Sequence, residues 1–242
     1  MRMPTLRHLF ATMIAALVLI APLAAAAQNA PAAKRVIDRA RAASGGSGWN
    51  RLHGLHETGL EGGARYEAWF DPLRYGARTE IETPAGKQAY GYNGQGEWHI
   101  APGGATSGSL DRAALAKARS DAFFGAYAWF YPSRFDVRSS YLGARQSQGR
   151  PFEVLRIHPL GGQPRDLWFD RHTGLPGRMI EAGGARPVTV EYSDYRKVGP
   201  VLVPFRTITY GGDLPRPRER RRETLDFRSA DRGIFSLPPA AP

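Results

Sequence analysis

Hydrophobic positions along the chain follow two rhythms. Ala32 to Ala43 has helical spacing: Val36, Ile37 and Ala40 form one side, and Lys34, Arg35, Asp38, Arg39 and Arg41 the other. Ser44-Gly45-Gly46 stops that helix. From His53 to Ala101 the period falls to two. Tyr66, Ala68 and Phe70 alternate with Arg65, Glu67 and Asp71, with Trp69 breaking the pattern; Tyr75, Ala77 and Ile81 alternate with Arg74, Arg78, Glu80 and Glu82. Turns are predicted at Asp71-Pro72, at Thr83-Pro84-Ala85-Gly86 and, after Gln88, Tyr90 and Tyr92, at Asn93-Gly94. Trp98 and Ile100 fall on the returning strand. This pattern predicts an antiparallel meander with one apolar and one charged face.

Pro102 to Ser109 reads as a small-residue loop. Asp111 to Phe130 is the longest helical pattern, with Asp111 as N-cap and Pro132 as terminator. About 20 residues would reach about 30 Å, enough to cross a sheet. Its end is aromatic, from Phe123 and Phe124 through Tyr127 to Tyr131. Strands resume at Phe152–His158, and a hairpin joins Arg165–Asp170 to Gly177–Ala182. Val188, Val190 and Tyr192 then alternate with Thr189, Glu191 and Ser193, and Leu202–Tyr210 and Glu223–Arg228 close the set. Trp69-Phe70-Asp71 and Trp168-Phe169-Asp170 echo each other, each ending a strand before a turn. The expectation is a mainly β (α+β) domain over residues 28–242, with about 10–11 strands and two or three helices. A sheet of that size curls into a barrel or half-barrel.

Residues 1–27 read as an export signal. Arg2 and Arg7 precede an apolar stretch from Leu9 to Leu23, and Ala25-Ala26-Ala27 offers a cleavage site. Removing it leaves 215 residues with charge +9, where the whole chain has 242 and +11. The mature protein is expected to be a soluble monomer, periplasmic in a cell with two membranes. Zero cysteine excludes disulfides, thiolate metal sites, a cysteine nucleophile and a lipidated cysteine anchor. The 28 glycines and 19 prolines argue against a long helical bundle and fit the turns of a meander.

Candidate chemistry is sparse. His53-Gly54-Leu55-His56-Glu57 lacks the zincin order, and no metal or other cofactor is expected. No G-x-S-x-G elbow occurs, and Gly45-Gly46-Ser47-Gly48 follows a helix where a phosphate loop would precede one. Nothing singles out a carboxylate pair for hydrolysis of polysaccharide or lipid, so no catalytic residue is assigned. The densest charge run, Arg216, Arg218, Arg220, Arg221 and Arg222 with Glu219, carries +4 in seven residues. It reads either as a solvated hairpin loop or as a contact for anionic headgroups or an acidic partner. An exported protein has no call on nucleic acid.

The aromatic set is more informative. Tyr66, Phe70, Tyr75, Tyr90, Tyr92 and Trp98 are expected on one face of consecutive strands. Phe169, Val190, Tyr192 and Phe227 offer a similar face later, with Phe123 and Tyr127 on the helix between. They describe either an ordinary core or a cavity under a helical lid that takes a hydrophobic ligand.

The order of signal, short helix, meander, lid-like helix and further strands resembles the LolA/LolB-like lipoprotein carrier and receptor superfamily. Its local anchors are Trp69-Phe70-Asp71-Pro72-Leu73-Arg74-Tyr75, Tyr92-Asn93-Gly94-Gln95-Gly96-Glu97-Trp98, Trp168 to Pro176 and Phe235-Ser236-Leu237-Pro238. The resemblance implies an antiparallel incomplete β-barrel closed by helices, with an apolar cavity for acyl chains, lipids or lipoproteins. It implies a non-enzymatic periplasmic carrier; a membrane surface or an envelope protein is the alternative partner, met through the basic run. Asp71 stands where the soluble carriers have a gating arginine, and Arg74 follows the turn.

Overall fold

A computed structural model describes residues 30–131, 137–181 and 186–238. The signal-peptide reading of residues 1–27 and the terminator Pro132 lie outside the described residues. Helix α1 covers residues 30–43. The strands are β1 Leu55–Glu61, β2 Ala64–Asp71, β3 Gly76–Thr83, β4 Gly86–Tyr92, β5 Glu97–Ile100 and β6 Thr106–Ser109, then, after helix α2 (Arg112–Gly125), β7 Val137–Ser147, β8 Arg150–Pro159, β9 Arg165–Asp170, β10 Pro176–Glu181, β11 Val188–Val198, β12 Val201–Gly211 and β13 Arg218–Asp226.

All thirteen strands form one antiparallel sheet in the order β6-β5-β4-β3-β2-β1-β13-β12-β11-β10-β9-β8-β7. It consists of two meanders joined at a single seam, β1 against β13. The sheet is open: β6 and β7 are its edges, and α2 is the connection between them. The helix packs against β2 to β5 and also touches β8, so it crosses the concave side. This is the incomplete barrel closed by helices that the sequence predicts.

The described residues hold thirteen strands where about 10–11 are expected: β6 and β7 are the additions, the polar β7 being a strand through its pairing with β8, and three details differ from expectation. Thr106–Ser109 is an edge strand, paired residue for residue with β5, although its small polar side chains show no alternation. The long helix ends at Gly125. Tyr127 takes a left-handed conformation (φ 54°), and a 3-10 turn at Ala128–Phe130 follows, so the aromatic run folds back. The basic run from Arg218 is strand β13, not a loop.

The core lies on the concave side. Ala33 and Ala40 of α1 are fully buried, with Val36 and Ile37 packed alongside. Trp49, in a 3-10 turn after α1, packs with tilted rings 4.8 Å from Phe130 and 5.4 Å from Tyr127, and its indole N–H donates to the Ser44 hydroxyl at 3.0 Å. The two echoed phrases are structurally equivalent. Asp71 and Asp170 each accept backbone N–H groups of the following turn, from Leu73 and from His172 and Thr173. Trp69 and Trp168 each carry an arginine over the ring, Arg228 and Arg178.

Candidate ligand-binding site

Helix α2 sets the roof of the site. Its N-terminus is capped by Asp111, whose carboxylate accepts the N–H groups of Ala113 (2.9 Å) and Ala114 (3.0 Å). Ala114, Lys117, Ala118 and Asp121 recur at helical spacing and face the sheet across an open space. At its other end the helix presses onto β2: a Cβ on Gly125 would stand 2.3 Å from the Phe70 ring. The helix is pinned on both flanks. Arg119 donates to the Tyr92 hydroxyl (3.1 Å) and to the Leu160 carbonyl (3.0 Å), while the Ser120 hydroxyl donates to the Gln163 carbonyl (2.9 Å).

Between α2 and the sheet lies a cavity of about 540 Å³, within the range of small-molecule sites. Phe70, Ala77, Phe124, Met179, Val190 and Tyr192 give it apolar walls. The remaining wall is charged. Arg218, Arg220 and Arg222, at alternate positions of β13, turn inward towards Glu57 and Glu61 of β1. Glu57 is completely buried and accepts from the Arg222 Nε and, at 3.2 Å, from Arg220 Nη1. Arg220 also pairs with Glu61 at 2.8 Å and lies 4.5 Å from the Tyr66 ring centre. Arg222 reaches the Tyr127 hydroxyl at 3.0 Å and the Pro204 carbonyl. Burial works against the charge of both guanidinium groups. Glu61 for Arg220 and Glu57 for Arg222 outweigh it, so both pKa values rise. Burial, reinforced by Glu57, pushes the Tyr66 phenol well up.

A second cluster crosses the opposite side. Arg165 of β9 pairs with Asp121 of α2 and with Glu181 of β10 at 2.7 Å, and Lys117 donates to Asp121 at 2.8 Å. Burial pushes the Asp121 carboxyl up, but Arg165 and Lys117 overcome it and hold it below the ordinary value. Glu57 and Glu61 approach each other through their shared arginine, yet each is committed to guanidinium groups, an arrangement that suits charge neutralisation rather than proton donation.

The predicted site residues divide. Phe70, Tyr90 and Tyr92 from the first meander, Tyr127 after α2, and Val190 and Tyr192 from β11 border the cavity. Tyr66 lies behind Arg220. Phe123 and Phe169 are buried in the core, Phe227 packs at its edge, and Tyr75 sits at a turn beside Phe123. Trp98 borders the cavity wall but does not share the face of Tyr92. Its register row runs Trp98, Gly91, Arg78, Trp69, His56, while Tyr92 aligns with Ala77 and Phe70. The Trp98 indole donates to the Phe235 carbonyl at 2.8 Å, so the C-terminal segment covers it on the outer face. The five arginines also divide: Arg216 lies on the connection before β13, Arg221 faces outward onto Glu219, and the other three turn inward. Sequence reading missed their partners, Glu57 and Glu61. The missed signal is two carboxylates, four residues apart, on the face of β1 that should be apolar. Arg74 pairs with Asp71 at 3.5 Å beside the turn and does not border the cavity. His56 and Glu57, neighbours in the histidine-containing motif, point to opposite faces of β1, His56 towards Glu67 and Asp226.

No protein-family model matches the chain, and no curated protein does. Solved structures match its fold. A LolA superfamily protein from Nitrosomonas europaea aligns with TM-score 0.53 at 15% identity, over 85% of this chain and 97% of that one. An outer membrane lipoprotein-sorting protein domain from Vibrio parahaemolyticus aligns with TM-score 0.55 at 12% identity, over 83% and 94%. A DUF1329 family protein from Desulfovibrio piger aligns with TM-score 0.54 at 12% identity, over 84% and 97%. The chain has a LolA-like fold.

Proposed function

We propose that this protein is an exported, non-enzymatic carrier that holds the apolar part of a lipid or acylated molecule in the cavity under α2. The observation that carries the reading is the space itself. The concave side of the sheet is packed by α1 and the aromatic turn at one end, but about 540 Å³ beneath α2 is left unfilled by the chain's own side chains. An acyl chain entering it gains about 0.8 kcal/mol per buried methylene, so a dozen methylenes contribute on the order of 10 kcal/mol without any reacting group. The fold of a lipoprotein-sorting domain is consistent with this use. The pattern of residues 1–27 supports export to the periplasm, and among the described residues no helix is long and apolar enough to cross a membrane.

The test is a titration with a neutral fluorescent probe of apolar cavities, made on the wild-type protein and on Ala118→Trp. Ala118 lines the space from α2, so the indole projects into it and obstructs part of it. Saturable binding by the wild type, weakened in a variant with an unchanged melting temperature, supports the carrier reading. A wild-type protein that takes up no probe contradicts it.

A further inference from the structure

The ionic groups of the cavity fall on three walls: Arg78, paired with Glu80, and Glu97 stand on the β3–β5 side, and the other two walls pair off differently. On the α2 side Lys117 and Arg165 face Asp121 and Glu181, two cations against two carboxylates. On the seam side Arg218, Arg220 and Arg222 face only Glu57 and Glu61. On this wall one cation exceeds the carboxylates. The surplus falls on Arg218. Arg220 and Arg222 are each held by several acceptors, whereas Arg218 meets Glu61 through one nitrogen at 3.4 Å and is half exposed. A guanidinium offers five N–H donors in a fork that matches carboxylate or phosphate oxygens. Next to it the wall is hydroxyl-bearing, with Thr207 and Thr209 of β12 and Tyr90 of β4 also bordering the cavity. The space therefore has an apolar pole and an anion-accepting pole.

Resting on the carrier reading, we propose that the ligand is an amphiphile with a single negative charge, its headgroup held by Arg218 and its chain lying against Phe124, Met179 and Val190. The shared chemistry is an anionic oxygen headgroup on an acyl chain, whether the carboxylate of a free fatty acid or the phosphodiester of a phospholipid. A ligand whose acylated end is neutral leaves the surplus charge unmet. The buried pairs are already neutral in sum, so the selectivity belongs to Arg218 and not to the deeper arginines.

The experiment displaces the neutral probe from the full-length mature protein with four competitors below their aggregation concentrations. These are palmitate, hexadecanol, a short-chain phosphatidylglycerol and the diacylglycerol with the same chains. The expected result is that at least one anionic competitor binds about tenfold or more tighter than its neutral counterpart, the size of one charge-assisted hydrogen bond. Arg218→Gln abolishes that ratio, read within the variant as anionic against neutral competitor. Preference for palmitate over hexadecanol assigns the carboxylate, and preference for phosphatidylglycerol over diacylglycerol assigns the phosphodiester. Equal binding of charged and neutral partners overturns the headgroup assignment but leaves the carrier reading standing. A ratio that survives Arg218→Gln overturns the role of Arg218. Failure of the probe itself to bind overturns the carrier reading and this inference with it.

Discussion

Arg222 and Glu57 form a buried ion pair across the seam that joins the two halves of the sheet. Glu57 has no exposed surface, and the Arg222 guanidinium is held by its carboxylate, the Tyr127 hydroxyl and the Pro204 carbonyl. The pair does more than stitch strands. Tyr127 stands in the left-handed region at φ 54°, a conformation that costs about 1–3 kcal/mol for a bulky residue and persists only where its surroundings hold it. Arg222 and Trp49 hold it, and this is where the chain turns away from α2.

Removing one partner of this pair is predicted to be costly. Glu57→Gln leaves the charge of Arg222 buried without its counter-ion and should lower stability by about 3–5 kcal/mol. The double change Glu57→Leu with Arg222→Met should cost less than the single one, since no charge is stranded. Urea denaturation of the three proteins checks the order, and a double variant less stable than Glu57→Gln would refute the account of the seam.

Gly125 is predicted to be irreplaceable for a local reason. Its Cβ would meet the Phe70 ring at 2.3 Å, so Gly125→Ala must displace α2 or the ring. The expected loss is about 1–3 kcal/mol. Phe70→Leu in the same chain should recover part of it, because the two changes share one contact. Additive losses in thermal melts would contradict this.

Trp98 is predicted to matter for the C-terminal segment and not for ligand. Trp98→Phe removes the hydrogen bond to the Phe235 carbonyl, worth about 1 kcal/mol. Limited proteolysis after Asp226 should quicken while probe binding stays at the wild-type level. Lost probe binding with unchanged proteolysis would make Trp98 a ligand contact.

Acid should loosen α2. The Asp121 carboxyl is held below its ordinary value by Arg165 and Lys117 despite burial. The unfolded chain therefore binds this proton more readily than the folded one. The stabilisation is fully present above the unfolded carboxylate value near 4 and is lost as pH falls through the lower folded value. Asp121→Asn should flatten the dependence of stability on pH below about 4 and leave it unchanged between 5 and 7. An identical acid limb in both proteins would show that Asp121 does not tie the helix down.

The sheet is legible in the sequence where alternation and turn chemistry coincide, as at Asn93-Gly94 and in the Trp-Phe-Asp phrases that end β2 and β9. β6 is not, because Thr106–Ser109 has no side chain large enough to show a face and is a strand only through its pairing with β5. The end of α2 is hidden because the aromatic spacing runs on past Gly125, while the backbone reverses at Tyr127. The charged wall of the site is hidden for a different reason. With Arg221 standing between Arg220 and Arg222, the inward residues look like the outward one, and the carboxylates that bring Arg220 and Arg222 inside lie about 160 positions away in the chain. Only the sheet order, which sets β1 beside β13, puts them together.

The central claim is that the space under α2 holds a lipid, and native mass spectrometry of the protein isolated gently from its own cells tests it most directly. The prediction is a population heavier than the bare chain by the mass of an acylated molecule, reduced in Ala118→Trp and recovered by organic extraction. A single species at the mass of the bare chain, with no uptake of palmitate or phosphatidylglycerol when these are supplied, would contradict it.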